Sequence, residues 1–461
     1  MTRQRVAIVG SGVAGLVCAH VLGPCHDVTV FEADSRLGGH ANTVDVDDPE
    51  VGRIGVDTGF IVHNDRNYPN LVRLFAELGV ATLDTEMSFG VIDRDPASST
   101  HGLAYRATSP NTLFADRRNL VRPAMWRMLV DIGRFFRASR TFLADPDPAL
   151  TLGEFLRVGG YSRDFVELHL LPMGAAVWSA SPATFDEFPA ANLLRFLDNH
   201  GLLGVRDRPQ WRSVVGGSRS YVEAIADRFP GRVQLNSPVL SIERTTSPLG
   251  PVRVVTARGG EHFDRVVVAA HSDQALRLLD QPTAAERSIL GAIGFQANRA
   301  TLHTDTSLLP RNRRAWAAWN YERRGPDQES ATLTYDLTAL QHLPGRGRYL
   351  VSLNSEAAID PAHVLASIEY AHPVFDGAAI AAQARRSEIS GEGPIHYCGA
   401  YWGYGFHEDG AASALEVCRE LGVTWPGAHP PEVLGDHDAI DGSGSTGSTD
   451  SGSHSVDVVA A

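Results

Sequence analysis

Eleven residues near the start constrain the fold more than any others in the chain. Val6-Ala7-Ile8-Val9-Gly10-Ser11-Gly12-Val13-Ala14-Gly15-Leu16 runs from an apolar strand through a glycine turn into a helix. A second apolar strand, Asp27-Val28-Thr29-Val30-Phe31, ends at Glu32, 22 residues beyond Gly10. Each position has a physical task. Gly10 turns the chain sharply off the strand, Gly12 lets backbone approach a pyrophosphate, and Gly15 lets the helix pack closely on the strand. The helix N-terminus offers free N–H groups and the positive end of its dipole to phosphates. Glu32 stands where an acid accepts a hydrogen bond from a ribose 2′-OH. Strand, turn, helix and acid together predict a dinucleotide-binding βαβ unit. A glycine-rich loop in some other α/β fold is the lesser reading, because it requires neither the helix nor the acid.

Arg36-Leu37-Gly38-Gly39-His40 follows Glu32 directly. Paired glycines there let main chain pass beside a bound dinucleotide, which favours FAD over NAD. The segment Glu32-Ala33-Asp34-Ser35-Arg36-Leu37-Gly38-Gly39 resembles the signature of the flavin-containing amine oxidase superfamily. That superfamily usually carries arginine at the last position of the motif, and this chain carries His40. Two readings of His40 stand. It faces flavin or substrate as a neutral imidazole able to relay a proton, or it fills space.

Composition bounds the remainder. A chain of 461 residues is too long for one compact core, so two lobes are expected. A hydrophobic fraction of 43% and a charged fraction of 21% are those of a soluble globular protein. No apolar run reaches about 18 residues, so no transmembrane helix is expected. A nucleotide strand beginning by residue 5 leaves no space for a signal peptide. Cys18, Cys25, Cys398 and Cys418 have neither metal-ligand spacing nor a disulfide framework, so no metal is expected and a cytoplasmic location fits. The net charge of −13 argues against a nucleic-acid partner. All 41 basic residues are arginine. Many amine oxidases of the superfamily hold a water at the reactive flavin nitrogen with a lysine. Arginine stays protonated and cannot replace it as a tunable base.

The patterning predicts an α/β cofactor domain interleaved with an α+β substrate domain. Residues 1–85, 206–275 and 386–425 are assigned to a discontinuous Rossmann-type FAD-binding domain, and 86–205 and 276–385 to the substrate domain. Residues 436–461 form an acidic Gly/Ser-rich tail expected to be disordered. Expected elements include a helix over 68–78, a strand at 87–91 leaving for the second lobe, and mainly helices over 110–205. A helix over 221–228 is followed by a strand pair opening at 233–239. Arg265-Val266-Val267-Val268-Ala269-Ala270 is a continuous apolar run, as a buried parallel strand requires. Strands are expected at 300–303, 331–335, 349–353 and 395–397, then a helix from Asp409 to Leu421.

The segment Cys398 to Gly410 is the second chemical focus. It places glycines and four aromatics before a helix start. Such a helix N-terminus can stabilise negative charge on a reduced flavin. Asp409 reads equally as the N-cap of that helix. Trp178, Trp211, Trp319, Tyr401, Trp402 and Tyr404 either wall an apolar cavity or fill core. His271 ends the apolar strand at the edge where α/β ligands bind, or is a satisfied structural histidine.

Together with Gly38 to Val44, Asp57-Thr58-Gly59-Phe60, Tyr68-Pro69-Asn70, Met87-Ser88-Phe89, Trp178-Ser179, Pro209-Gln210-Trp211 and Ala318-Trp319-Asn320, this segment resembles one branch of the superfamily. That branch is the FAD-dependent amine-oxidoreductase-like proteins also found fused to plant cyclopropane-fatty-acid synthases. The resemblance spans about residues 5 to 425. It implies a two-lobed flavoprotein with non-covalent FAD and a functional link to a cyclopropane-fatty-acid-synthase-like methyltransferase. It assigns FAD contacts to Gly10, Ser11, Gly12, Ala14, Gly15, Glu32, Arg36, Gly38, Gly39, His40, Thr58, Gly59 and Phe60. Val239 is expected at the adenine, and Gly399, Tyr404, Asp409 and Gly410 at the ribityl chain and flavin. An acid often follows the glycine matching Gly399, where this chain has Ala400.

The expected reaction is oxidation of a C–H bond, with hydride passing to flavin and His40, His407 or Glu408 near the reacting edge. The expected substrate is an apolar small molecule or lipid of modified fatty-acyl type. Alternatives are amine oxidation, desaturation or isomerisation of a polyene or porphyrin-like molecule, and a non-catalytic FAD-binding partner of a lipid-modifying enzyme. Residues 117–140 hold seven arginines, with Met125, Leu129, Ile132 and Phe136 on one helical face. That helix is either a peripheral contact with the inner membrane face or a lobe helix whose arginines are solvated.

Overall fold

The computed structural model describes residues 2–178, 185–204, 208–245, 250–325 and 331–429. Ser179 and the tail at 436–461 lie outside the described residues. The first strand, Arg5–Val9, buries four of its five side chains, as a central parallel strand must. It pairs in parallel with Asp27–Phe31 on one side and Arg265–Val268 on the other. Arg232–Gln234 and Ile395–Tyr397 complete a five-stranded parallel sheet at its two edges. Helix α1 (Val13–Leu22) crosses over this sheet and is buried at every position except His20. Its near-uniform burial explains why it shows no polar face.

The sheet's strands come from the two ends and the middle of the chain, so the cofactor lobe is discontinuous in sequence. Val233 and Val239 do not open one strand pair. Val233 joins the parallel sheet, while Val239–Arg244 begins a separate three-stranded antiparallel sheet with Val252–Thr256 and Gly259–Phe263.

The other lobe is built on a seven-stranded sheet. Across it run Val364–Val374, Gly294–His303, Leu350–Leu353, Leu333–Asp336, Trp319–Arg323, Phe89–Asp93 and Ala104–Arg106. All neighbours are antiparallel except Trp319–Arg323 and Phe89–Asp93. The strand leaving the cofactor lobe thus begins at Phe89, and the intervening helices stack over the sheet.

Helix α2 (Pro69–Leu78) buries Leu71, Leu74, Phe75 and Leu78 beside the helices His407–Glu420 and Arg219–Arg228, in the apolar core that α1 and Val423–Trp425 share. Helix α3 (Pro123–Ala144) departs from its predicted stripe. It fully buries Met125, Met128 and Phe135, while Leu129, Ile132 and Phe136 are only half-buried. Trp126 and Val130 stand 49% and 62% exposed. Its arginines are largely engaged: Arg127 pairs with Asp164, Arg134 with Asp131, and Arg140 donates to the Leu203 carbonyl. No helix among the described residues is long and apolar enough to cross a membrane.

The closest approach in the cofactor lobe is at Gly15. A Cβ there would sit 2.0 Å from the Gly10 carbonyl oxygen, with backbone on both sides unable to yield. Gly15→Ala is therefore expected to lower stability by about 2 kcal/mol or more in urea unfolding. An unchanged midpoint would show that the helix does not rest on this contact.

Candidate active site

Strands Arg5–Val9 and Arg265–Val268 end side by side, and the chain leaves both toward the same crevice. A cavity of about 910 Å³ opens there and continues between the lobes. Its cofactor-lobe wall holds Gly10, Ser11, Gly12, Ala14, Glu32, Gly39 and Val239. Gly59, Phe60, Gly399, Tyr404, His40 and His407 also face it. The substrate lobe adds Phe89, Trp178, Phe196, Trp319, His372 and Phe375.

The dinucleotide end fits FAD on physical grounds. Gly10 turns with φ of +100°, and a Cβ there would stand 2.6 Å from the Ala269 carbonyl oxygen. Gly12 is different: no heavy atom lies within 4 Å of where its Cβ would be. Its bare backbone faces open cavity at the start of α1, and no side chain caps that helix. The N–H groups there are thus left for an anion. Glu32 Oε2 accepts from the Ser11 N–H at 2.9 Å and from the Ser11 hydroxyl, while Oε1 accepts from the Asp34 N–H at 2.8 Å. The carboxylate both shapes the glycine turn and lines the cavity, as ribose recognition requires.

Six residues assigned to cofactor contact stand off the cavity wall. Gly15 packs α1 on the glycine turn. Gly38 donates its N–H to the Ser11 carbonyl at 3.0 Å. Arg36 donates to the carbonyls of Leu37, Gly39 and Ala41, holding the paired-glycine turn from behind. Thr58 donates to the Asn42 carbonyl at 3.0 Å and meets the Tyr370 hydroxyl at 2.9 Å. Asp409 is not an N-cap. Helix α4 (His407–Glu420) begins after Phe406, and Asp409 accepts from the Phe406 N–H at 2.7 Å. Gly410 lets α4 approach α1, since a Cβ would lie 2.7 Å from Val13 Cγ1.

Glu408, a catalytic candidate, also stands off the wall. Its carboxylate caps α2 instead, accepting from the N–H groups of Asn70 and Leu71 at 2.9 and 3.1 Å and from the Asn70 amide at 2.6 Å. It does not line the cavity. Of the aromatic candidates, Trp178, Trp211, Trp319, Tyr401 and Tyr404 line it, whereas Trp402 packs in the core beside Tyr401.

Five histidines face the cavity. Among them His200 stacks on Phe196 with ring centres 4.0 Å apart, and burial lowers its pKa to about 4. His407 stacks on Phe60 with ring centres 3.8 Å apart, and burial lowers its pKa to about 3. His40 stacks on Tyr370 at 4.7 Å, and burial holds it well below the usual imidazole range, reinforced by His372 and His271. His271 lies flat on Phe295 at 4.3 Å and is likewise lowered by burial. Burial lowers His372 to about 4. All five are neutral at pH 7. His372, Phe196 and Phe375 escaped the sequence reading. Only the alternation of Tyr370 and His372 on one strand face points to the first of these.

Three outcomes follow. Gly12→Ala should alter stability by less than about 0.5 kcal/mol yet weaken FAD binding by roughly tenfold or more, as equilibrium titration of the apoprotein would read. Glu408→Ala should destabilise by about 1–3 kcal/mol and leave flavin binding intact; loss of flavin binding alone would refute its capping role. His407 has a folded pKa of about 3 against 6.5 for an ordinary imidazole, so its contribution is present above pH 6.5 and is lost as pH falls toward 3. His407→Phe, which keeps the stack, should flatten the acid-side loss of stability by about 2–4 kcal/mol, read as unfolding midpoints from pH 7 to 4. An unaltered pH profile would contradict the neutral buried imidazole.

Comparison with known proteins agrees with this geometry. The flavin containing amine oxidoreductase family profile matches residues 13–367. Amine oxidase [flavin-containing] B of Bos taurus is 27% identical over 255 residues, covering 52% of this chain and 45% of that protein. The chain spans about half the length of the curated relatives it matches. The fold is shared with a putative protoporphyrinogen oxidase from Exiguobacterium sp. 255-15, with TM-score 0.64, 18% identity, and coverage of 92% of this chain and 100% of that one. It is also shared with a CLA-producing fatty acid isomerase from P. acnes, with TM-score 0.65, 15% identity, and coverage of 91% and 99%. A family profile matched over most of the chain, on a glycine turn and crevice of this construction, shows that the chain belongs to the flavin-containing amine oxidoreductase family.

Proposed function

We propose that this protein is an FAD-dependent oxidoreductase that oxidises a C–H bond of an apolar substrate of fatty-acyl or lipid type. One observation carries the substrate class. Among the described residues, the carboxylates lining the cavity are Glu32 and Glu86. Glu32 is committed to Ser11, and Glu86 to Arg106 and the Ser88 hydroxyl. Neither is left to balance a cationic group, and the five cavity histidines are neutral. An ammonium entering this space loses its hydration and gains no counter-charge, whereas an acyl chain gains burial against aromatic and aliphatic walls.

FAD, when bound, supplies the two-electron acceptor chemistry. The chain supplies the rest. Gly10, Ser11, Gly12 and Glu32 hold the dinucleotide end. Phe89, Trp178, Phe196 and Trp319 exclude water from the substrate. Hydride loss from one carbon is balanced by loss of a proton from its neighbour, and the neutral imidazoles of His40 and His407 on the cavity wall are the groups assigned to receive it.

The second reading is amine oxidation, favoured by the family match. The absence of lysine from the chain weighs against it, since no lysine can hold water at the flavin.

Anaerobic bleaching of the flavin absorbance tests both. Acyl lipids with methyl branches, double bonds or cyclopropane rings should bleach it, while primary and secondary amines should not. Bleaching by amines alone would overturn the proposal.

A further inference from the structure

A chain of three side chains behind the cavity fixes which nitrogen of His372 carries its proton. It begins at backbone. Asn354 Oδ1 accepts from the Arg299 N–H at 3.0 Å, and Asn354 Nδ2 donates to the Ala331 carbonyl at 3.1 Å. Both ends of that amide are therefore pinned. The same Nδ2 donates to Asn298 Oδ1 at 2.8 Å, which orients the second amide. Asn298 Nδ2 then lies 2.9 Å from His372 Nδ1. An amide NH₂ group has hydrogens to give and no lone pair to accept with. His372 Nδ1 must be the acceptor, and the neutral ring carries its hydrogen on Nε2. Burial, which lowers this imidazole to about 4, keeps the ring neutral.

The hydrogen bond that described residues make to the His372 ring is the one at Nδ1, which leaves Nε2–H without one, and His372 lines the cavity. The surrounding groups come from both lobes. His40 follows the paired glycines of the cofactor lobe and lies 5.4 Å from His372, ring centre to ring centre. His271, at the end of the central strand, lies 6.2 Å from His40. Tyr370, two residues before His372 on the same strand, has its hydroxyl committed to Thr58 and Asn42. His372 is thus a pre-set donor that the substrate lobe contributes at the junction.

We propose that His372 donates a fixed hydrogen bond, through Nε2, to an acceptor atom on the molecule bound where the two lobes meet. The acceptor is an sp² oxygen or nitrogen, carried by the flavin ring system or by a carbonyl group of the substrate. The inference rests on the reading that the cavity holds FAD.

Three variants of the FAD-loaded protein test it. His372→Leu removes the donor. His372→Gln returns an amide N–H close to the Nε2 position. His372→Asn, a milder change should leucine impair folding, places its amide too short to reach. The flavin absorbance spectrum and midpoint potential are read without added ligand, and binding of methyl laurate is read by perturbation of the flavin spectrum. A spectrum and potential shifted in the Leu and Asn variants and restored in Gln assign the acceptor to flavin. An unchanged flavin with methyl laurate bound roughly tenfold more weakly, again restored by Gln, assigns it to substrate. Flavin properties and ligand binding unchanged in all three variants, or a Gln variant behaving like Leu, would overturn the proposal. A colourless wild-type protein would instead overturn the flavin reading beneath it.

Discussion

The structure depends on how closely α1 can lie on the central strands. Gly15 sits over the Gly10 carbonyl, and Gly10 itself turns beneath the Ala269 carbonyl, so neither position has space for a side chain. With helix and strands this close, the strand ends and the helix N-terminus open into one crevice. Glu32 closes the arrangement by binding Ser11 from the neighbouring strand. Cofactor recognition, the entry of α4 and the position of the paired glycines all follow. Gly410 lets α4 reach α1, and Gly38 bonds back to the glycine turn.

The second constraint is electrical. The cavity is deep and mostly apolar; its carboxylates are engaged, its histidines are neutral, and its arginines, Arg208 and Arg277, bond to the Gly204 carbonyl and to Asp273. Burial is the leading cause of the low pKa at each of His40, His271, His372 and His407. A neutral imidazole keeps both a donor and an acceptor nitrogen, which a charged one does not. The histidines therefore present hydrogen-bonding groups without charge.

Much of the cofactor end was legible in the sequence, because each contact there is made by residues local to one turn. Strand, glycine turn, helix and Glu32 lie within some thirty residues, and their spacing reports their geometry. Errors came where a side chain's partner is distant. Glu408 looked catalytic from its place before a helix, but Asn70 and Leu71, more than three hundred residues earlier, claim its carboxylate. Asp409 looked like a cap because the helix start was placed two residues late. On α3 the buried line runs through Met125, Met128 and Phe135, since contacts with surrounding helices, not the arginine pattern, set the face. His372 was invisible for the same reason: its role depends on Asn298 and Asn354, which only sheet pairing brings beside it.

Flavin content tests the account's central claim most directly. The four cysteines are unpaired, and none of them lines the cavity. Denaturing the purified yellow protein and separating small molecules from chain should release one equivalent of intact FAD per chain, with none left on the polypeptide. A protein without flavin, or one whose flavin stays attached to the chain after denaturation, would contradict the site described here.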